Sequence, residues 1–273
     1  MTAVRYKYAS LEDFLNSWPL SVDGVLDDGW GASFSVKGIE TLAAVLFADI
    51  TYFSGRTLDL TPTETLIFVN NFFAWITAEA LQDRPGIVDK YIGDEIMVIF
   101  SQDFGSEDPF LDAVRTARNI AENDALSYCP RIGIAAGPVV IGYVGTPIKY
   151  NASVFGRTVT LAKRCATVRP KASGSSTIIF PADLWRGRSL SEVLPLRKFK
   201  YHDGTVQERP LGWEEFAPRT VELKNVPKMD VVEIGKEGRH LPSLSAEDRA
   251  RKSLGVLKEA GRYWPRGLPK PGS

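Results

Sequence analysis

The sequence predicts an α+β fold, a ferredoxin-like βαββαβ sandwich in which helices pack against one sheet. Three observations predict it. Apolar runs of strand length alternate with segments whose apolar residues recur at helical spacing. Glycine-bearing turns separate some of the strands, which indicates hairpins. The chain has 273 residues, of which 44% are hydrophobic, and this is enough to bury a core as one domain with extensions.

The first core strand follows an N-terminal extension, predicted over residues 1–38. The extension begins with a short helix at "YASLEDFLNSW" and continues as a Gly- and Asp-rich loop, "VDGVLDDGWGASFSVKG". The strand is "TLAAVLFADI", an apolar run of bounded length that contains Asp49 near its end. From here the main domain is predicted to extend over residues 39–236.

The first long helix has a clear start signal. Thr61 and Glu64 can form a capping box, and Pro62 suits the first helical position. The segment "TLIFVNNFFAWITAEAL" then shows apolar residues at helical spacing. The predicted buried stripe consists of Leu66, Val69, Phe73, Ile76 and Ala80.

Hairpins and helices alternate in the rest of the main domain. "GIVDKYIGDEIMVIF" predicts two strands around a Gly93–Asp94 turn, and "RIGIAAGPVVIGYVG" predicts another strand pair. Helices are predicted at "FLDAVRTARNIAENDAL" and "GRTVTLAKRCATV", and a strand at "STIIF". Residues 185–222 are predicted to be an insertion. Residues 237–273 are predicted to be a charged tail with a helix at "SAEDRARKSLGVLKEAG".

The composition indicates which kinds of partner and which cellular compartment to expect. Lys+Arg and Asp+Glu both number 33, so the formal net charge is zero and a nucleic-acid partner is not expected. No apolar run approaches the about 20 residues that a membrane span needs. The two cysteines form neither a disulfide framework nor a zinc pattern. A cytoplasmic protein without a membrane span is therefore expected.

Two aspartates follow apolar strands at positions where folding can bring them together. Asp49 closes the first strand, and Asp94 lies in the predicted hairpin turn. Two adjacent carboxylates repel each other unless a cation lies between them, and hard oxygen ligands suit Mg²⁺ or Mn²⁺. Each aspartate alone could instead satisfy the backbone of its own turn. The two together predict a metal-dependent phosphate site.

Four segments, in order and at matching spacing, resemble the class III nucleotide cyclase catalytic domain. They are "FADITYFSG", "VDKYIGDEIMVIF", "RIGIAAGPVVIGYVG" and "VFGRTVTLAKR". The resemblance covers roughly residues 41–235. It implies a cyclase version of the predicted sandwich, and an enzyme that converts a nucleoside triphosphate to the 3′,5′-cyclic monophosphate and pyrophosphate. It also implies a homodimer whose active sites are shared between the two subunits.

The resemblance assigns the metal and phosphate ligands. It implies that Asp49, Asp94 and the carbonyl of Ile50 hold two divalent cations, Mn²⁺ or Mg²⁺. Such ions would lower the pKa of the ribose 3′-hydroxyl and stabilise the leaving pyrophosphate. The backbone amides of Phe53 and Ser54 would bind phosphate oxygens at the start of a helix.

The resemblance also implies which residues the partner subunit supplies to the active site. Arg164 matches the arginine that neutralises charge on the transferring phosphate. Thr160 stands one helical turn earlier, where the family usually has asparagine, so it is a shorter and poorer donor toward the ribose. Lys224, in a segment similar to the family's late "LKG…P" motif, would bind the triphosphate.

Base recognition is assigned to three residues. Lys90 and Ser153 occupy the two positions that select the base in the family, and Tyr52 replaces a glycine in the metal-binding turn. Bulky Tyr52 favours a small pyrimidine, and the donor-only Lys90 favours uracil over cytosine. In this turn the chain resembles the stand-alone bacterial pyrimidine cyclases of Pycsar antiphage defence. That implies cyclic UMP, or else cyclic CMP, read by a separate effector protein.

Two alternatives stay open. Lys90 is also typical of adenylate cyclases, so cyclic AMP is the main alternative product. Thr160 in place of asparagine is compatible with a catalytically weakened module that binds a nucleotide or a partner protein. The second alternative is disfavoured because Asp49, Asp94 and Arg164 are all retained.

Overall fold

The computed structural model describes residues 7–27, 29–31, 33–81, 84–122, 124, 128–146, 149–171, 176–194, 196–200, 205–210, 212–236, 246–264, 266 and 269–270. The α-helices within these ranges are α1 (Leu11–Ser17), α2 (Phe53–Thr57), α3 (Pro62–Leu81), α4 (Pro109–Glu122), α5 (Arg157–Thr167) and α6 (Ala246–Glu259). No helix in the described ranges is both long and apolar enough to cross a membrane.

The strands form one large sheet and one small ribbon. In chain order they are β1 (Val22–Asp27), β2 (Ser33–Asp49), β3 (Gly86–Ile92), β4 (Glu95–Ser101), β5 (Arg131–Thr146), β6 (Lys149–Phe155), β7 (Thr177–Pro181), β8 (Leu196–Lys200), β9 (Val206–Pro210), β10 (Trp213–Leu223) and β11 (Val226–Lys236). The large sheet has the order β10-β11-β7-β5-β2-β4-β3, with β1 added to β2 and β6 added to β5. Strands β5 and β7 run parallel and the other pairs are antiparallel, so the sheet is mixed.

The predicted α+β fold class is confirmed, and helices cover both faces of the sheet. One face packs against α3, α4 and α6, and the other against α1 and α5. The continuously apolar part of β2 is explained by burial on both faces of the sheet. Leu46 points into the first core, whereas Val45 and Phe47 point into the second. A strand that is buried on both faces has no polar side to show.

Several elements agree with their predicted segments. The Thr61–Glu64 capping box is formed, with the Glu64 amide donating to Thr61 Oγ1 at 3.3 Å and the Thr61 amide donating to Glu64 Oε2 at 3.0 Å. Strands β3 and β4 form the predicted hairpin around Gly93, whose φ of 63° suits glycine.

Other local predictions were wrong. The segment "VDGVLDDGWGASFSVKG" is not a loop, because β1 pairs with the first half of β2 within it. "RIGIAAGPVVIGYVG" is one long strand, β5, and not a strand pair, because its glycines do not end the ladder with β2. The domain bounds at 38/39 and 236/237 and the insertion over 185–222 stay predictions. Residue 38 lies inside β2, and β10, which begins in the predicted insertion, is a strand of the large sheet.

The buried stripe of α3 was predicted only in part. Ile76 is fully buried, as predicted, but Phe68 and Phe72 are fully buried beside it, and Leu66 is exposed. The aromatic residues recur at four-residue spacing and cover more apolar area than Leu66 and Val69, so they decide which face turns inward.

His202 and His240, which the sequence does not place in any motif, lie outside the described residues.

Candidate active site

Two predicted metal ligands meet at one end of the sheet. Asp49 is the last residue of β2 and lies opposite Glu95 of β4 in the antiparallel register. Asp94 lies in the turn that joins β3 to β4. The Asp49 carboxyl lies close enough to that of Asp94 to raise the Asp94 pKa. The ladder therefore places the two acids in contact although they are 45 residues apart in the chain.

The charges around these acids favour a bound cation. Burial, followed by the adjacent Asp49, raises the pKa of Asp94 to about 7. A carboxyl group whose ionisation is opposed by a neighbouring carboxylate gains most from a bound cation. The two acids fit a divalent cation, since magnesium takes one or two protein carboxylates and completes its shell with water and phosphate. No cluster of three or more potential metal-binding side chains occurs among the described residues.

Two basic residues that the sequence analysis did not single out also reach this site. Arg131 begins β5 opposite Asp49, and its guanidinium lies 3.1 Å from Asp49 Oδ2. Lys163 of α5 pairs with Glu95. Burial lowers the pKa of Lys163, although the charges of Asp49 and Asp94 oppose this. Only the register of β5 beside β2 reveals Arg131, since 82 residues separate it from Asp49.

The turn after Asp49 has an unusual backbone. Tyr52 has φ 56° and ψ 36°, the left-handed region that bulky residues rarely occupy. Its side chain is 76% exposed, so the ring does not pack into the core of this chain. Thr51 Oγ1 anchors the turn by donating to the carbonyl oxygen of Cys129. Helix α2 begins at Phe53, and the amides of Phe53 and Ser54 have no partner within that helix because they belong to its first turn.

The loop before β5 supports this turn from below. Asp124 accepts hydrogen bonds from the amides of Tyr128 at 2.9 Å and Cys129 at 2.7 Å. Asn71 of α3 donates to the Tyr128 hydroxyl at 2.6 Å. Burial raises the pKa of Asp124, and burial raises that of Tyr128 to about 12. The turn after Asp49 is therefore supported by hydrogen bonds between residues of other elements.

The two predicted base-selecting residues are in contact. Lys90 Nζ donates to Ser153 Oγ, although β3 and β6 are not neighbours in the sheet. Asp89 joins them, with its Oδ2 3.1 Å from Lys90 Nζ and 3.3 Å from Ser153 Oγ. Asp89 could not be identified from the sequence alone. The ladder between β3 and β4 shifts register between Val88 and Lys90, and this irregularity is not visible in the sequence.

The remaining predicted residues do not join the aspartates within one chain. Thr160 and Arg164 lie on α5, Thr160 being exposed, and Lys224 is exposed in the turn between β10 and β11. Among the described residues, none of these three bonds to Asp49 or Asp94, and Arg164 Nε is buried without a partner. One chain therefore brings Asp49 to Asp94 and Lys90 to Ser153, the predicted base-selecting pair, but it does not bring Arg164 to the two acids.

Helix α5 lies very close to the sheet. A Cβ added to Gly133 of β5 would lie 2.1 Å from the amide nitrogen of Ala166 and 2.2 Å from the carbonyl oxygen of Ala162. Only glycine permits this approach. This contact fixes the distance between the sheet and α5, the helix that carries Thr160 and Arg164.

Sequence comparisons connect this geometry to known proteins. Residues 37–172 match the family described as the adenylate and guanylate cyclase catalytic domain. An adenylate cyclase of Anabaena cylindrica is 33% identical over 147 residues, which make up 47% of this chain and 29% of that protein. An uncharacterised protein of Mycobacterium tuberculosis is 32% identical over 158 residues, 57% of this chain and 27% of that protein. The chain thus spans less than a third of the length of these relatives.

Solved structures share the fold. The adenylyl cyclase CyaB from P. aeruginosa has a TM-score of 0.56 at 17% identity, with 75% of this chain and 99% of that chain covered. The guanylate cyclase domain of RhGC from Catenaria anguillulae, solved in complex with GTP, has a TM-score of 0.53 at 18% identity, with 73% and 99% covered. At these identities the likeness establishes the fold and transfers no substrate.

Proposed function

We propose that this chain, whose residues 37–172 match the adenylate and guanylate cyclase catalytic domain family, converts UTP, or alternatively CTP, to the 3′,5′-cyclic monophosphate and pyrophosphate. The contact between Asp49 and Asp94 supports this reaction best. Two neighbouring carboxylates beside the first-turn amides of α2 suit a triphosphate that arrives with divalent cations.

In this proposal Asp49, Asp94 and the Ile50 carbonyl hold two divalent cations, Mn²⁺ or Mg²⁺. When bound, the cations supply charge stabilisation to the phosphates and acidify the ribose 3′-hydroxyl. The amides of Phe53 and Ser54 bind phosphate oxygens at the start of α2. Arg131 holds Asp49 at 3.1 Å and so limits its rotation.

The second chain of a homodimer would complete the site. Arg164 would stabilise negative charge on the transferring phosphate, Thr160 would position the ribose, and Lys224 would bind the triphosphate. This arrangement is supported by the separation of these residues from the acidic pair within one chain, and by the unpartnered Nε of Arg164.

Tyr52 supports a pyrimidine as the base. Its ring is largely exposed, and its strained backbone directs a large side chain away from the core of its own chain. Residues held at sparsely populated backbone angles are concentrated at functional sites. A ring beside the metal-binding turn reduces the room for a purine. Lys90 and Ser153 would contact the base edge.

Cyclic AMP is the second candidate product. Lys90 and the similarity to the Anabaena cylindrica adenylate cyclase favour it. A module that binds nucleotide without turnover is the third candidate, favoured by Thr160. The wider biological setting is also a proposal. The cyclic nucleotide would act as a second messenger in phage defence, read by a separate effector protein.

The deciding experiment gives the purified chain each of the four nucleoside triphosphates with Mn²⁺ and identifies cyclic products by mass spectrometry. We expect cyclic UMP, or cyclic CMP, and no product from the Asp49→Ala variant. Cyclic AMP as the sole product would reject the pyrimidine base. Turnover that persists in Asp49→Ala would reject the metal assignment.

A matched pair of variants tests Tyr52. Tyr52→Ala and Tyr52→Asn both remove the ring, and asparagine tolerates the left-handed region better than alanine. We expect both to lose at least about tenfold in the preference for pyrimidine over purine, which corresponds to one lost contact of modest strength. Tyr52→Asn should also be more stable than Tyr52→Ala, by about 0.5–1 kcal/mol, because asparagine is less strained than alanine in the left-handed region. An unchanged base preference in both variants would exclude Tyr52 from recognition.

A further inference from the structure

A buried carboxylate outside the predicted site holds both predicted base-selecting residues. The side chain of Asp89 has no exposed surface, and its Oδ2 lies 3.1 Å from Lys90 Nζ. The same oxygen accepts a hydrogen bond from Ser153 Oγ at 3.3 Å. Lys90 Nζ also donates to Ser153 Oγ, which closes a three-membered cluster.

A local irregularity in β3 makes this cluster possible. Neighbouring residues of a regular strand point to opposite faces of the sheet, so Asp89 and Lys90 would normally diverge. The ladder with β4 shifts register between Val88 and Lys90, and Asp89 has no partner residue in it. Such a bulge re-aims side chains and is common beside active sites. Here both side chains reach Ser153.

The cluster is maintained against an energetic cost. Asp89 Oδ1 is buried and has no hydrogen-bond partner in the part of the chain that the structure describes. Burial raises the pKa of Asp89, the Lys90 ammonium opposes this rise, and Glu12 of α1 adds to it. A buried acid with one unsatisfied oxygen destabilises the fold, and such a group in a native structure calls for an explanation.

The number of hydrogen-bond donors and acceptors in the cluster gives an explanation. A carboxylate only accepts, so the Ser153 proton must point toward Asp89. One Ser153 lone pair is taken by Lys90, which leaves one acceptor on a side chain that is buried within the single chain. Lys90, which is partly exposed, has three N–H donors and uses two within the cluster, which leaves one donor. In the proposed nucleotide site the cluster would thus offer a base edge one fixed donor beside one fixed acceptor.

We propose that Asp89 is a positioning residue that fixes the direction of the Ser153 hydroxyl and thereby sets which base edge the pocket accepts. The inference rests on the proposed nucleotide site. Asp89 acts through the Ser153 hydroxyl and need not touch the nucleotide. In Asp89→Asn the amide can donate to Ser153, so the hydroxyl proton can turn outward and the fixed acceptor is lost.

The test measures binding, so that it does not depend on turnover. Dissociation constants are determined by calorimetry for the α,β-methylene analogues of the four nucleoside triphosphates with Mn²⁺. The P–C bond of these analogues cannot release pyrophosphate. The readout is the ratio between the tightest and the next-tightest base. This ratio does not depend on the fraction of correctly folded protein. A merely structural role of Asp89 would change that fraction and leave the ratio unchanged.

We expect the ratio to fall about tenfold in Asp89→Asn, the equivalent of one misdirected hydrogen bond. Ser153→Ala should lower it similarly, and the double variant should fall no further than either one, because both act through one hydroxyl. Glu233→Gln is the matched control. Glu233 is a buried carboxylate bound to the Lys171 amide and Arg219, so its loss should reduce stability and leave the ratio unchanged.

Each outcome decides the inference. An unchanged ratio in Asp89→Asn, or in Ser153→Ala if Asp89→Asn does not fold, overturns it. A wild-type chain without any base preference also overturns it. If base selection in binding depends on Asp89 but no cyclic product forms, the inference stands and the proposed cyclase reaction fails.

Discussion

At the scale of single residues, Asp94 is the clearest case of function at the expense of stability. Its pKa is raised to about 7 by burial and by Asp49, so ionisation is costly in the metal-free fold. The folded state then binds more protons than the unfolded state between about pH 4 and pH 7. Stability of the metal-free protein should therefore fall as pH rises through this window.

Asp94→Asn should remove that fall. Without metal at pH 8, the variant should be more stable than wild type by about 1–2 kcal/mol, after allowance for the partial exposure of Asp94. Below about pH 4 the two should be equal, since wild-type Asp94 is then neutral in both states. Chemical denaturation at both pH values measures this.

Added Mn²⁺ supplies the control for the Asp94 prediction. A ligand that binds only the folded state stabilises it in proportion to the logarithm of its concentration over Kd. Mn²⁺ should stabilise wild type and not Asp94→Asn, so the order of stabilities at pH 8 should reverse. Equal stabilisation of both proteins by Mn²⁺ would place the metal site elsewhere.

At the scale of secondary-structure elements, Gly133 sets the distance between β5 and α5. Any side chain there meets the backbone of Ala162 and Ala166 at about 2 Å. Backbone cannot rotate away as a side-chain tip can, so Gly133→Ala must push α5 outward. We expect a loss of about 1–3 kcal/mol in stability and a larger proportional loss in turnover, since α5 carries Thr160 and Arg164.

Gly24→Ala is the control for the Gly133 prediction. Gly24 also lies in a strand, β1, but a Cβ there would meet no atom within 4 Å. Its stability and turnover should match wild type. Thermal unfolding and product formation are measured on both variants. If Gly133→Ala is destabilised but turns over normally, the position of α5 does not control the reaction.

Elements that carry strong local signals could be predicted, and elements fixed by tertiary pairing could not. The capping box at Thr61 defines the start of α3 in both sequence and structure. The buried face of α3 could not be read, since aromatic and aliphatic residues alternate around the helix and the sheet chooses between them. The glycines of β5 look like turns in sequence, yet a long ladder with β2 holds the strand continuous through them.

The candidate site divides in the same way. Asp49 and Asp94 could be identified because each follows an apolar strand, and a shared ladder brings them together. Arg131 and Asp89 could not be identified, because their importance depends on strand register and on a bulge. Residues that act across a sheet are visible only once the register is known.

At the scale of the whole molecule, the proposed site needs two chains, and mixed dimers test this. Asp49→Ala removes a group from one half of each site, and Arg164→Ala removes a group from the other half. Each variant alone should be inactive, because both sites of its homodimer lack the same group. A mixed dimer has one site that lacks both groups and one that is intact, since a two-fold dimer pairs the same surfaces.

Co-expression of the two variants should therefore restore about a quarter of wild-type turnover, because about half of the dimers are mixed and each has one working site of two. Separately tagged subunits, purified through both tags, should reach about half of wild-type turnover per dimer. The double variant Asp49→Ala/Arg164→Ala, co-expressed with Asp49→Ala, is the control and should stay inactive, since no site regains Asp49. Mixed dimers that form but remain inactive would mean that Arg164 and Asp49 serve one site within the same chain.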